Sequence, residues 1–159
     1  VATTLREHKL AVDIQPMKAV SGLDGYRAVV LGAPLFMGRW HQDARRFLSR
    51  HQDALEERPV AVFALGPMHN DEKEWQGVRG QLDRALTKVP RLKPIAIEVF
   101  GGKFDPALLG FPWKLLPGLK KIPPSDIRDW TAIRAWASNL VAKFQQELSE
   151  PISRISASS

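Results

Sequence analysis

Ala28-Val-Val-Leu-Gly-Ala-Pro-Leu-Phe-Met-Gly-Arg-Trp-His41 is the stretch on which the fold turns. Its first four residues form an unbroken apolar run. Gly32 follows, then a segment with Pro34, Phe36, Gly38 and Trp40, and then a helical period. A strand that lines a single core alternates apolar and polar residues, whereas one covered by helices on both faces is apolar throughout. The run therefore predicts a central parallel strand that feeds a loop and a helix. Loops at the carboxyl ends of such strands are where open α/β sheets bind ligands. This loop offers backbone N–H groups beside flat side chains, which suits a planar ligand, although on these residues alone the preferred reading is that Phe36 and Trp40 cap the core.

Outward from that unit the pattern repeats. Pro59–Met68 (PVAVFALGPM) is a second fully apolar run that ends in Gly66-Pro67, as the first ends in Gly32 and Pro34. Leu10–Gln15 and Ile95–Phe100 alternate, so both are expected as half-exposed edge strands, with Ile95, Ile97 and Val99 turned inward. Between the strands, Val1–Lys9 reads as the end of an amphipathic helix. Gln42–Glu57 carries Ala44, Phe47, Leu48, His51 and Leu55 at helical spacing, and Glu74–Val89 carries Trp75, Val78, Leu82, Ala85, Leu86 and Val89. The last helix, Trp130–Leu148, has Asp129 as its N-cap. Strands alternating with helices predict a parallel sheet with helices on both faces. The short link between Leu10–Gln15 and Ala28 has no room for a crossover helix, so a further strand between these two would restore right-handed connections and give the order 2-1-3-4-5.

With 159 residues, 44% hydrophobic, the chain fits one domain, taken as 1–148 with an insertion at 103–125 and a flexible tail at 149–159. The insertion holds five prolines and mixes Leu108, Leu109, Phe111, Trp113, Leu115 and Leu116 with Lys114, Lys120 and Lys121. Such a segment could rest on an anionic membrane through 108–121, each lysine adding about 1 kcal/mol. It could equally cover the sheet edge or meet a second copy in a homodimer. The absence of a 20-residue apolar span or a signal-like start reads as cytoplasmic, with peripheral contact at the inner membrane face if the insertion binds lipid.

Several chemistries are excluded. Without cysteine there are no disulfides, thiolate metal sites or cysteine nucleophiles, so redox chemistry must belong to a bound cofactor. His8, His41, His51 and His69 lack metal-ligand spacing, which makes surface or capping roles the expectation; His41 and His69 follow the two loops and could exchange protons there. No Ser-His-Asp order, P-loop or GxGxxG is present. A net charge of +6 favours anionic partners, but Arg45, Arg46 and Arg50 accompany no nucleic-acid reading element, so no nucleic-acid partner is expected.

The residues Leu23–Gly32, Phe36–Trp40, Ala44–Phe47 and the strand ending Gly66-Pro67 together resemble flavodoxin-domain proteins. The branch they resemble includes menaquinone-dependent protoporphyrinogen dehydrogenase. Gly101-Gly102, the apolar insertion and Asp129–Ala137 are similar to the second half of that branch.

The resemblance implies a flavodoxin-like three-layer sandwich whose first strand is missing from this sequence, and FMN at the carboxyl ends of the strands. Pro34, Leu35, Phe36, Met37, Gly38 and Trp40 match the loop beside the isoalloxazine, and Gly66, Pro67 and Met68 match the next loop. The Ser/Thr-rich phosphate loop of the family has no counterpart here: Thr3 and Thr4 fall inside the first helix. Phe36 stands where relatives often carry Tyr, so stacking would survive without a phenolic hydrogen bond.

The implied activity is an FMN-dependent oxidoreductase passing electrons from a reduced organic substrate to a quinone. The alternatives are an FMN electron carrier without a substrate site of its own and a flavin-free interaction protein.

Overall fold

Both apolar runs form neighbouring strands. The computed structural model describes residues 1–36, 39–67, 69–105, 107 and 123–149, without the side chains of 35, 36 and 39. The expectations for Met37, Gly38 and Met68, the membrane-facing insertion and the tail lie outside the described residues.

Strand β1 (Val29–Phe36) runs parallel to β3 (Val60–Leu65), from Val29 opposite Val60 to Pro34 opposite Leu65. Strand β3 in turn runs parallel to β4 (Ala96–Phe100). A short β2 (Arg39–Trp40) folds back antiparallel on the far edge of β1, giving the order β2-β1-β3-β4. The three consecutive parallel strands correspond to the 3-4-5 half of the expected order.

Helices cover both faces. On one lie α2 (Gln42–Arg50) and α4 (Glu72–Leu86), packed on Leu31, Ala33, Val60, Val62 and Ala64. On the other, α1 (Ala2–Glu7) packs on α5 (Trp130–Ser149), and Leu5, Leu140, Val141 and Phe144 close over Ala61. Among the described residues no helix is long and apolar enough to cross a membrane.

Three expectations need correction. Leu10–Gln15 is not a strand, because no neighbouring strand pairs with it among the described residues. Its apolar positions are nevertheless used, since Leu10 and Val12 pack on the α1/α5 cluster while the Val12 carbonyl accepts from Arg6 Nη2 at 2.8 Å. Alternation reports which side is buried; a ladder also needs a partner.

The second correction concerns the segment after Ala28-Val-Val-Leu. It is not a loop from Gly32 onward but strand up to Phe36, followed by the return of β2. Val29 donates to the Pro59 carbonyl at 3.0 Å, so alternation points the nitrogen of Pro34 at the edge away from β3, where no donor is required.

Third, the helix expected over 42–57 breaks at His51 into α2 and α3 (Gln52–Glu56). His51 is buried with its ring 4.8 Å from Phe47, and its backbone leaves helical geometry at φ −109°, ψ 21°. Along β4 the inward set also differs: Ile97 is exposed, and Val99 and Phe100 are buried.

Helix α4 begins two residues earlier than its apolar stripe suggests. Asp71 caps it, accepting from the backbone of Lys73 at 2.9 Å and Glu74 at 3.1 Å. Asp71→Ala is therefore expected to lower stability by about 1 kcal/mol, measured by urea unfolding at neutral pH.

Candidate functional site

Three chain segments leave the sheet at its carboxyl end: the end of β1, the Gly66-Pro67 turn after β3, and the Gly101-Gly102 turn after β4. The last two are joined. Gly66 donates its N–H to the Phe100 carbonyl at 2.8 Å, Gly102 donates to the Pro67 carbonyl at 3.1 Å, and Ile127 donates to the Gly102 carbonyl at 3.1 Å. Close packing explains why glycine stands at two of these places. A Cβ on Gly66 would lie 2.6 Å from Val99 Cγ1, and one on Gly101 would lie 2.2 Å from the carbonyl oxygen of Ile127.

The turn after β3 is held from its other side as well. The Glu74 carboxylate accepts from the His69 backbone at 3.1 Å and meets His69 Nδ1 at 2.9 Å, while Trp75 Nε1 donates to Asn70 Oδ1 at 3.2 Å. His69 therefore serves the start of α4, and His41 caps α2 by accepting from Asp43 N at 3.3 Å. These are the capping roles expected from the sequence.

Beside the turns the sheet shows an apolar ledge. Gly32 and Pro34 on β1 and Leu65 on β3 are exposed, Leu65 by 40%. Register places Gly32 opposite Phe63 and Pro34 opposite Leu65, so all four occupy one sheet face. The Phe63 ring lies across Gly32, where an added Cβ would be 2.1 Å from Cζ. Phe63, Phe100 and Trp136 form an aromatic cluster with centroid distances of 5.4–5.9 Å, which ties α5 to this end of the sheet.

Of the residues proposed from sequence, Pro34, Gly66 and Pro67 are thus assembled at the carboxyl end: Pro34 is exposed, Gly66 half-buried and Pro67 buried. Leu35 is placed there by its backbone, as is Phe36. Trp40 goes elsewhere. It is 5% exposed and belongs to the core beneath α2 and α4. Sequence reasoning missed Gly32 and Leu65 because both sit inside apolar runs that read as wholly buried. The spacing signal was there: in a strand of period two, Gly32 shares its face with Pro34, and the glycine makes room for the Phe63 ring.

The hairpin of β5 (Lys103–Phe104) with β6 (Ser125–Asp126) flanks the third turn. Asp126 is paired with Arg128 at 2.5 and 2.7 Å, and Arg128 also lies 4.9 Å over the Trp130 ring. The guanidinium hydrogen bonds bring the Asp126 carboxyl down from 3.8 to about 2. A depressed carboxylate contributes stability above its unfolded value, and that contribution is lost as pH falls through its folded value. NMR titration of Asp126 is therefore expected to show a midpoint near 2, and Arg128→Gln to return it toward the ordinary carboxylate range.

A three-layer α/β domain with joined turns at the carboxyl end of a parallel sheet is a ligand-presenting class of fold. A family model described as flavodoxin domain matches residues 1–115, and the chain belongs to the flavodoxin-domain family. No curated protein and no solved structure matches it.

Flavodoxin domains typically bind FMN and serve electron transfer. The described residues fit the ring end of that cofactor: the ledge of Gly32, Pro34 and Leu65 supplies flat apolar surface, and the adjoining turns supply backbone polar groups. They do not supply the phosphate end. Thr3 and Thr4 lie within α1, Thr4 is buried, and no Ser/Thr-rich loop adjoins the turns among the described residues.

Proposed function

We propose that this chain is the flavin domain of an FMN-dependent oxidoreductase that passes electrons from a reduced organic substrate to a quinone. The observation that carries the reading is the apolar ledge of Gly32, Pro34 and Leu65 beside turns locked together through Gly66, Pro67 and Gly102. Bound FMN would supply the one- and two-electron chemistry that a cysteine-free chain of ordinary side chains lacks. The protein's part is to present the ring edge-on to the turns and exclude water from the face laid on the ledge. Leu65 and Pro34 would do the latter.

An enzyme is favoured over a simple electron carrier by the net charge of +6, because a soluble carrier that docks on basic partners needs an acidic surface. The similarity of Gly101-Gly102 and Asp129–Ala137 to the protoporphyrinogen dehydrogenase branch supports a tetrapyrrole-type donor with menaquinone as acceptor. Anaerobic assay of the FMN-loaded chain with protoporphyrinogen and menaquinone tests this. Turnover that depends on both is expected; full flavin loading with no turnover would reduce the reading to the electron carrier.

A further inference from the structure

On the opposite sheet face, α2 and α4 stand apart and leave a cleft of about 430 Å³. Its floor is apolar, formed by Leu48, Ala85 and Val89. Its rim carries Arg45 and Lys88, with Ser49 and Gln52 between them, and no carboxylate lines it among the described residues. A shallower basin shares Arg45 and Ser49 and extends the cationic rim to Arg46 and Arg50.

These cations have no ion-pair or hydrogen-bond partner among the described residues, whereas neighbouring Arg91 is held by Glu56 and Asp53. Gln52 lies beside Arg91 too, with its amide end 2.9 Å from Nη1. Trp40 forms part of the cleft wall, is 5% exposed, and has an indole Nε1–H that finds no acceptor among the described residues.

From this set of groups we infer that the α2/α4 cleft is a binding site for a small amphipathic carboxylate, one or two fused rings bearing a single anionic group. The rings fill the floor over Leu48, Ala85 and Val89. The carboxylate accepts from the Arg45 and Lys88 side chains, beside the Trp40 wall. Cleft size supports this, since small-molecule sites run roughly 300–1,000 Å³ and combine an apolar lining with few placed polar groups. The site is independent of the flavin reading, which concerns the other face of the sheet.

The test is a titration of the full chain, with FMN present, by 2-naphthoate, followed by ¹H–¹⁵N NMR of the tryptophan indoles. Trp40→Phe identifies the Trp40 signal by its loss. Saturable movement of that signal is expected, larger than for the other indoles. The neutral isostere 2-naphthylmethanol is expected to bind at least about tenfold more weakly, as is 2-naphthoate to the Arg45→Gln/Lys88→Gln double variant. Arg134→Gln, on α5, should leave affinity unchanged. An unmoved Trp40 signal at millimolar naphthoate would overturn the inference. So would equal affinity for the neutral analogue, or an unaltered affinity in a double variant whose remaining spectrum shows it folded.

Discussion

Gly101→Ala is expected to lower the stability of the chain by about 3 kcal/mol, at the upper end of what overpacking one methyl group costs. The methyl group would sit 2.2 Å from the carbonyl oxygen of Ile127 and 2.9 Å from its carbonyl carbon. Backbone atoms cannot rotate aside as a side chain can. Ile127 is also pinned, its N–H bonded to the Gly102 carbonyl at 3.1 Å, so relief requires separating the turn after β4 from the strand leading to α5. Urea unfolding measures the loss. Gly77→Ala serves as the comparison, because a Cβ there meets nothing within 4 Å and a helix-interior glycine replaced by alanine gains about 0.5–1 kcal/mol. A neutral Gly101→Ala would show that the third turn is not clamped.

Leu140→Ala is expected to cost about 2–5 kcal/mol. Leu140 is fully buried, and it closes with Val141 and Phe144 over Ala61 in the middle of β3. Truncation opens a cavity between a rigid sheet and a helix whose neighbouring Ala137, also fully buried, has nothing to extend into the gap. Hydrogen exchange localises the effect: amides of α1 and α5 should lose protection before those of α2 and α4, which rest on the other face. Equal loss on both faces would mean that the two layers unfold as one unit.

Much of this architecture was legible in the residues. VVLG and VAVFAL are apolar on both faces and became the adjacent strands β1 and β3; Asp129 caps α5 as expected, accepting from Ala132 N at 2.9 Å. What failed had local causes. Leu10–Gln15 carries strand alternation, but pairing is a property of two segments, and one segment's pattern cannot report its neighbour. His51 reads as one more inward position of a continuous helix, yet its ring fits against Phe47 only where the backbone turns.

The candidate site was half legible. Glycine and proline after each apolar run marked Pro34, Gly66, Pro67 and Gly101-Gly102 as turns, but nothing in the pattern said that the second and third turns bond to each other. Trp40 was assigned to the ligand by its place in the loop. The two-residue return of β2 delivers it to the core under α2 instead, where its indole Nε1–H has no acceptor among the described residues.

The central claim is that a flavin ring lies on the ledge of Pro34 and Leu65 beside the clamped turns. FMN fluorescence quenching by the purified full chain, read alongside Leu65→Asp, tests it most directly. Saturable quenching at one FMN per chain is predicted, with at least about tenfold weaker binding in Leu65→Asp, because a carboxylate there loses apolar contact and repels the phosphate-bearing ligand. No quenching by the full chain, or identical affinity in a folded Leu65→Asp, would contradict the account.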